Sequence, residues 1–332
     1  MGRFQKTLHA TVASDLHYRR IDDMGALRTT LPLVVLYFMS SSSLLVLNKV
    51  AIKAIPNASL LLFTQLGSTV VIVAAPAFVG KARVNFKPEG KVVRAYSTVA
   101  MVFLTTIYSN FQVIHSIGIN PFIVLRCSTP LIVSVLDWAF MGRTLPDWKS
   151  TLALCGILSS GSMYARLKVA DPDFGTNGSG DAESGLWWSV IWLISFLLDM
   201  VYIKFVVEAY PCSGSERTLY QNFLALPILV VLLNVGVEKY NMVEAVNAPK
   251  SAWIAVVMTC FAGAALSFTG MSLRTEFSAT LFTVLGIVCK MASTLLNEIF
   301  VEPERDLARL SCIAAVIISS SFYKQAPLRK RR

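Results

Sequence analysis

Phe277 to Val301, FSATLFTVLGIVCKMASTLLNEIFV, is an apolar run with a lysine at its centre, and that lysine decides how the chain is read. A helix crosses about 30 Å of hydrocarbon with roughly 20 apolar residues, and Lys290 sits some 14 residues into this one. An ionisable group at that depth costs from about 2.5 kcal/mol upwards, so it faces a protein interior or a watery cavity. At helical spacing Phe282, Gly286, Lys290, Ser293 and Asn297 share one face, while Leu281, Val284, Leu285, Val288 and Leu295 lie largely off it. A central cation beside a glycine that admits a close ligand predicts an anion held at the midplane.

Composition agrees. The 332 residues are 55% hydrophobic and only 15% charged, and the mean hydropathy is +0.59, far too apolar for a soluble domain of this length. The chain reads as an all-α polytopic membrane protein, with the lipid bilayer as its first partner. Its net charge of +10 belongs to membrane-flanking loops and does not point to nucleic acid. The six cysteines form no CxxC pair and no Cys/His cluster, so neither a disulfide framework, a metal site nor a cofactor is expected. His9 and His17 lie in the N-terminal tail and His115 lacks an obvious partner, which leaves no catalytic constellation and argues against an enzyme. The longest loop, about 18 residues, is too short for a receptor or scaffold domain.

Ten apolar runs follow a polar, mixed-charge start: 31–52, 57–79, 96–116, 120–141, 150–167, 186–207, 218–237, 251–273, 277–301 and 306–323. Residues 1–29 have no apolar core and are read as a cytosolic tail. An even number of spans puts both termini on one side. Segments on that side carry most of the basic residues, among them Lys81, Arg83, Lys87, Arg143, Lys149, Arg217, Arg274 and Lys324, so both ends are expected in the cytosol. The opposite loop at 168–185 holds Asp171, Asp173, Asp181, Glu183 and the sequon at Asn177, followed by Trp187 and Trp188 at the lumenal belt.

Sliding the second half back by 160 residues lays Phe282-Thr-Val-Leu285 over Phe122-Ile-Val-Leu125, and Leu296 and Phe300 over Leu136 and Phe140. Five spans per half is odd, so the copies, 30–167 and 186–323, would be inverted, an arrangement of secondary transporters; residues 324–332 form a basic cytosolic end. In this register Lys290 lies over Pro130 and Gly286 over Arg126, one turn apart, so each half brings one buried cation.

The remaining polar residues divide by depth. Arg126 either faces an anion, snorkels or pairs with Asp199. Lys49 lies nearer a membrane surface, where snorkelling competes with a binding role. Asp137, Lys204 and Glu298 sit near span ends, where solvation or pairing is expected. Tyr220-Gln221-Asn222 opens the seventh run with amides that can read a base edge or bond a neighbouring helix, and Pro227 is expected to kink or break it. Gly156, Gly161 and Gly263 read as close-packing positions.

TLYQNFLALP at 218–227 followed by FTVLGIVCK at 282–290 resembles the paired signatures of GDP-sugar transporters of the Golgi, and VLRCSTPLIVSVLDWAF and DMVYIKFVV are most similar to the GDP-fucose and GDP-mannose carriers of plants and algae. The resemblance implies a ten-helix drug/metabolite transporter fold that exchanges a cytosolic nucleotide sugar for a lumenal nucleoside monophosphate at the Golgi membrane, and it leaves a homodimer open. It also implies roles. Asn222 would contact guanine with Gln221 as the second amide, Ser267 would supply a base-reading hydroxyl and Phe282 would pack on the nucleotide. Gly286 would allow close approach, Lys290 would meet the phosphates and Phe122 would lie near the sugar. Three positions depart from the family pattern: Gln221 for asparagine, Cys289 for asparagine and Gly270 for serine. A UDP-sugar/UMP or a phosphorylated-sugar/phosphate antiporter therefore stays open.

Overall fold

The computed structural model describes residues 23–54, 58–80, 84–117, 119–169, 182–235, 250–300 and 307–329. Ten helices occupy them: α1 (Asp23–Ala54), α2 (Ala58–Phe78), α3 (Gly90–Ile117), α4 (Ile119–Phe140), α5 (Trp148–Val169), α6 (Ala182–Ala209), α7 (Gly214–Val235), α8 (Lys250–Glu276), α9 (Ala279–Phe300) and α10 (Leu307–Ser321). Each coincides with one of the ten apolar runs. Helix α1 begins at Asp23, well before the expected start of the first span. Five of them, α2, α3, α4, α6 and α8, are long and apolar enough to cross a membrane. Asn177, with most of the 168–185 loop, lies outside the described residues.

Prolines sit inside α1, α2, α4 and α7. The expected break at Pro227 does not occur, because α7 continues to Val235. Proline removes one ladder bond, and a helix in an apolar surrounding gains more by keeping its other backbone groups paired than by opening.

The chain forms two compact units, and each draws on both halves of the sequence. The first comprises residues 1–98 and 204–276; in it α8 packs on α1 and α2, and α2 packs on α7. Gln65 of α2 donates to Asn48 of α1 at 2.8 Å. Gly263 faces Gln65, but a Cβ there would meet it at 3.8 Å, an ordinary contact, so close packing does not require that glycine.

The second unit comprises residues 99–203 and 277–332, with α4, α5, α9 and α10 around one apolar core that includes Cys127, Ile157, Tyr164, Ile287, Met291, Ile313 and Tyr323. Here the glycines are needed. A Cβ on Gly156 would lie 2.7 Å from Ser319 Oγ, and one on Gly161 would lie 2.4 Å from Cys127 Sγ.

Candidate functional site

The amide segment belongs to the first unit. Helix α7 starts with Ser213-Gly-Ser-Glu216, a reciprocal capping box: Glu216 N donates to Ser213 Oγ at 3.2 Å, and Ser213 N donates to Glu216 Oε2 at 2.8 Å. The other carboxylate oxygen of Glu216 accepts from Asn85 N at 2.9 Å, and the Tyr220 hydroxyl donates to Asn85 O. The loop before α3 is thereby pinned to α7. Burial pushes the Glu216 carboxyl up, but the amides of Ser213 and Asn85 and the Ser213 hydroxyl hold it below the usual carboxylate range overall.

One turn further, Asn222 is 1% exposed, and its amide nitrogen donates to Thr218 O at 2.7 Å and to Ser267 Oγ of α8 at 2.8 Å. A backbone carbonyl only accepts, so the side-chain orientation is fixed and both amide hydrogens are used. What Asn222 has left to offer is its oxygen. Gln221 is 5% exposed, and its Oε1 has no hydrogen-bond partner among the described residues. Tyr220 is buried, its ring edge-on to Tyr96 at 5.6 Å between centroids and its hydroxyl committed to Asn85. The structure thus joins Asn222 and Ser267 directly and puts Gln221 beside them.

The cations belong to the second unit. The N-terminus of α9 is capped by side chains: Leu281 N donates to Ser278 Oγ at 3.1 Å, Thr280 N and Thr280 Oγ1 donate to Asp137 Oδ2 at 3.0 and 2.6 Å, and Ser278 N donates to Gln325 Oε1 at 2.9 Å. Further along the helix, α9 presents Lys290. Lys290 is partly buried, and its ammonium makes no hydrogen bond or ion pair with a described residue. Arg126 of α4 lies near enough for its charge to act on Lys290. Beside them Gly286 borders open space, because a Cβ there would meet no atom within 4 Å. Phe282, two turns before Lys290, is buried. Phe122, one turn before Arg126, stands edge-on to Trp192 at 4.7 Å, inside an aromatic cluster.

The site residues therefore fall into two groups, Tyr220, Gln221, Asn222 and Ser267 in one unit and Lys290, Gly286, Phe282, Arg126 and Phe122 in the other. The side chains of Lys49 and Glu298 lie outside the described residues. Asp137 and Lys204 are buried caps: Lys204 donates to Arg274 O at 2.8 Å and Thr275 O at 3.2 Å, the last turn of α8, and pairs with Glu208 at 3.1 Å. A cation at a helix C-terminus and a carboxylate at an N-terminus complement the helix dipoles, so pairing wins over solvation at both positions. Among the described residues no group of His, Cys, Asp and Glu is arranged to hold a metal ion.

No family model matches the chain. Three curated relatives from Arabidopsis thaliana do. GDP-fucose transporter 1 is 28% identical over 90% of this chain and 86% of its own. GDP-mannose transporter GONST3 is 25% identical over 89% and 77%, and GDP-mannose transporter GONST2 is 20% identical over 92% and 82%. The chain is similar over most of its length to proteins named as GDP-sugar transporters. The resemblance read from its motifs therefore extends along nearly the whole sequence, and all three names agree with a transporter and not an enzyme. A solved crystal structure at 13% identity superposes with a TM-score of 0.63, covering 89% of this chain and 96% of that one, which supports a shared fold.

Of the buried polar groups in the first unit, sequence reasoning missed Arg217 and Tyr96. Arg217 counts as loop charge in a topology tally, yet it is 7% exposed. Its position one turn before Gln221, on the same stripe of α7, is the signal that marks it.

Proposed function

We propose that this chain is a nucleotide-sugar antiporter that carries a GDP-sugar, GDP-mannose or GDP-fucose, into the Golgi lumen in exchange for GMP by alternating access. The observation that carries the guanine assignment is the polarity of the amide cluster. Asn222 spends both amide hydrogens on Thr218 and Ser267, and Gln221 keeps an unpaired buried Oε1. The two acceptors equal in number the two donors of guanine, N1–H and the 2-amino group, whereas uracil offers one donor, N3–H, on that edge. A buried acceptor without a donor costs about 1–3 kcal/mol, which favours the ligand that fills both.

Lys290 and Arg126 take the diphosphate, Gly286 leaves room for it, and Phe282 and Phe122 supply aromatic surface to nucleotide and sugar. Two like charges held near each other in a medium of low dielectric repel, and an anion of either kind relieves them. This gives exchange its physical basis: in the empty carrier the repulsion between Lys290 and Arg126 resists the conformational step, while GDP-sugar and GMP both offset it.

The ten helices read as ten spans in two inverted repeats, 30–167 and 186–323, with both termini cytosolic. Packing supports that reading. Under a shift of five helices, α4 against α5 becomes α9 against α10, and α4–α9, α5–α10 and α2–α7 each map onto themselves. At the 160-residue offset the core positions Cys127 and Ile287, and Ala153 and Ile313, coincide.

Counterflow into proteoliposomes tests the function. Protein preloaded with GMP should take up labelled GDP-mannose or GDP-fucose and release it only slowly into nucleotide-free medium. Exchange with UMP and a UDP-sugar alone would overturn the base assignment, and equal release without internal nucleotide would overturn obligatory exchange.

A further inference from the structure

In the first unit three buried polar atoms have no hydrogen-bond partner among the described residues: Tyr96 Oη, Arg217 Nε and Gln221 Oε1. They are neighbours. Arg217 and Gln221 are one turn apart on α7, Tyr96 of α3 packs its ring on Tyr220, and the Arg217 guanidinium lies close enough to Tyr96 to act on its hydroxyl without forming a well-aligned bond. Tyr96 is fully buried and Arg217 is more than nine-tenths buried. Buried polar groups are almost always paired, so three orphans in one cluster need an explanation.

The adjacent groups do not supply one. Glu216, the carboxylate next in sequence, has an oxygen bonded to Asn85 N and the other to Ser213 N, so it serves as a cap. Arg217 Nη2 donates to Val207 O across a long 3.4 Å. Nε–H, the inner tine of the guanidinium fork, is left unused. Directed as a set, the orphans are two donors beside an acceptor.

We infer that Arg217 and Tyr96 are further specificity-determining residues, donating to the keto oxygen of the bound base while Gln221 and Asn222 accept from its N–H groups. This rests on the guanine reading above and completes it. A keto oxygen has two lone pairs and takes both donors, and arginine is a frequent partner of guanine O6 and N7. The resulting pattern, donors at Arg217 and Tyr96 and acceptors at Gln221 and Asn222, is the complement of the O6, N1–H, N2–H edge. Adenine presents an amino donor in place of O6, a bare ring nitrogen in place of N1–H and only a C–H in place of the 2-amino group, so two contacts would be reversed and the third lost. The longer Gln221, which replaces an asparagine of the family motif, sits one helical turn from Arg217 and can share the base with it.

The test is competition of counterflow in GMP-loaded proteoliposomes by three monophosphates: GMP, inosine monophosphate, which lacks the 2-amino group, and 2-aminopurine ribotide, which lacks O6 and with it the proton on N1, so that the change in its discrimination between wild type and variant, and not the wild-type value alone, reports the O6 contact. Wild type should prefer GMP to 2-aminopurine ribotide by at least tenfold. In Arg217→Gln that preference should shrink to about threefold or less, with the preference of GMP over inosine monophosphate unchanged. Tyr96→Phe, which keeps the ring against Tyr220, should shrink it about two- to threefold and gives a second reading if Arg217→Gln does not reach the membrane. Wild type that ignores the loss of O6, or variants that keep full discrimination, would overturn the inference. Wild type that does not exchange GMP would instead overturn the guanine reading on which it rests.

Discussion

The two units treat buried polarity in opposite ways. In the first, Asn222 is bound to Thr218 and Ser267, and Glu216 to Ser213 and Asn85, so most polar atoms are matched and a few acceptors and donors are left over in fixed directions. In the second, Lys290 makes no bond with a described residue while Arg126 adds like charge nearby. Matched networks hold geometry, and geometry reads a base. Uncompensated charge holds nothing in place, but it attracts an anion strongly and makes its absence costly. In the proposed function, recognition and charge compensation fall to different helices.

The largest expected effect separates those two roles at Lys290. Lys290→Ala should reduce exchange at least a hundredfold, yet leave the melting temperature unchanged or raised, since removing a partly buried charge that bonds no described residue costs the fold little. Loss of activity together with a marked fall in thermal stability would show that Lys290 is structural. Next comes Asn222→Ala, which should lower GMP affinity by tens of fold and also cost about 1–3 kcal/mol of stability, because Ser267 and the Thr218 carbonyl lose their donor. The joint loss, read by competition and by thermal melting, is the signature expected of a matched network.

Asp137→Ala should act on stability first. It exposes the α9 N-terminus, and a cap of this kind contributes about 0.5–2 kcal/mol; the melting temperature should fall while the affinity of the protein that remains folded changes less than twofold. The smallest effect belongs to pH. The Glu216 carboxyl is held below its ordinary value, so its pinning of Asn85 is present above the usual glutamate range near about 4.3 and is lost as pH falls through the lower folded value. The protection of the Asn85 amide against hydrogen exchange, taken relative to its intrinsic rate at each pH, should be high at neutral pH and fall on acidification, and Glu216→Gln should lower it at neutral pH.

Much of the fold is legible in the sequence, because a membrane helix announces itself by length and apolarity. Ten runs became ten helices, and Lys290 stands out as a cation in an apolar stretch. Capping was legible in part: Asp137 and Lys204 lie at span ends, but only the packed structure shows that they close α9 and α8. The gathering of α1, α2, α7 and α8 in one unit was not legible, since helix partners depend on tertiary contacts that no local pattern encodes. Arg217 was obscured for the same reason. A basic residue at the start of a span reads as a loop charge until Tyr96 and the end of α6 are found around it.

The central claim of the proposed function is that the chain exchanges a GDP-sugar for GMP and needs Lys290 to do so. Counterflow of labelled GDP-mannose and GDP-fucose against internal GMP, with UMP and UDP-galactose in a parallel batch, tests it most directly. GMP-dependent uptake of a GDP-sugar, absent with UMP and lost in Lys290→Ala, is the expected result. Uptake that proceeds with UMP and UDP-galactose but not with GMP would contradict it.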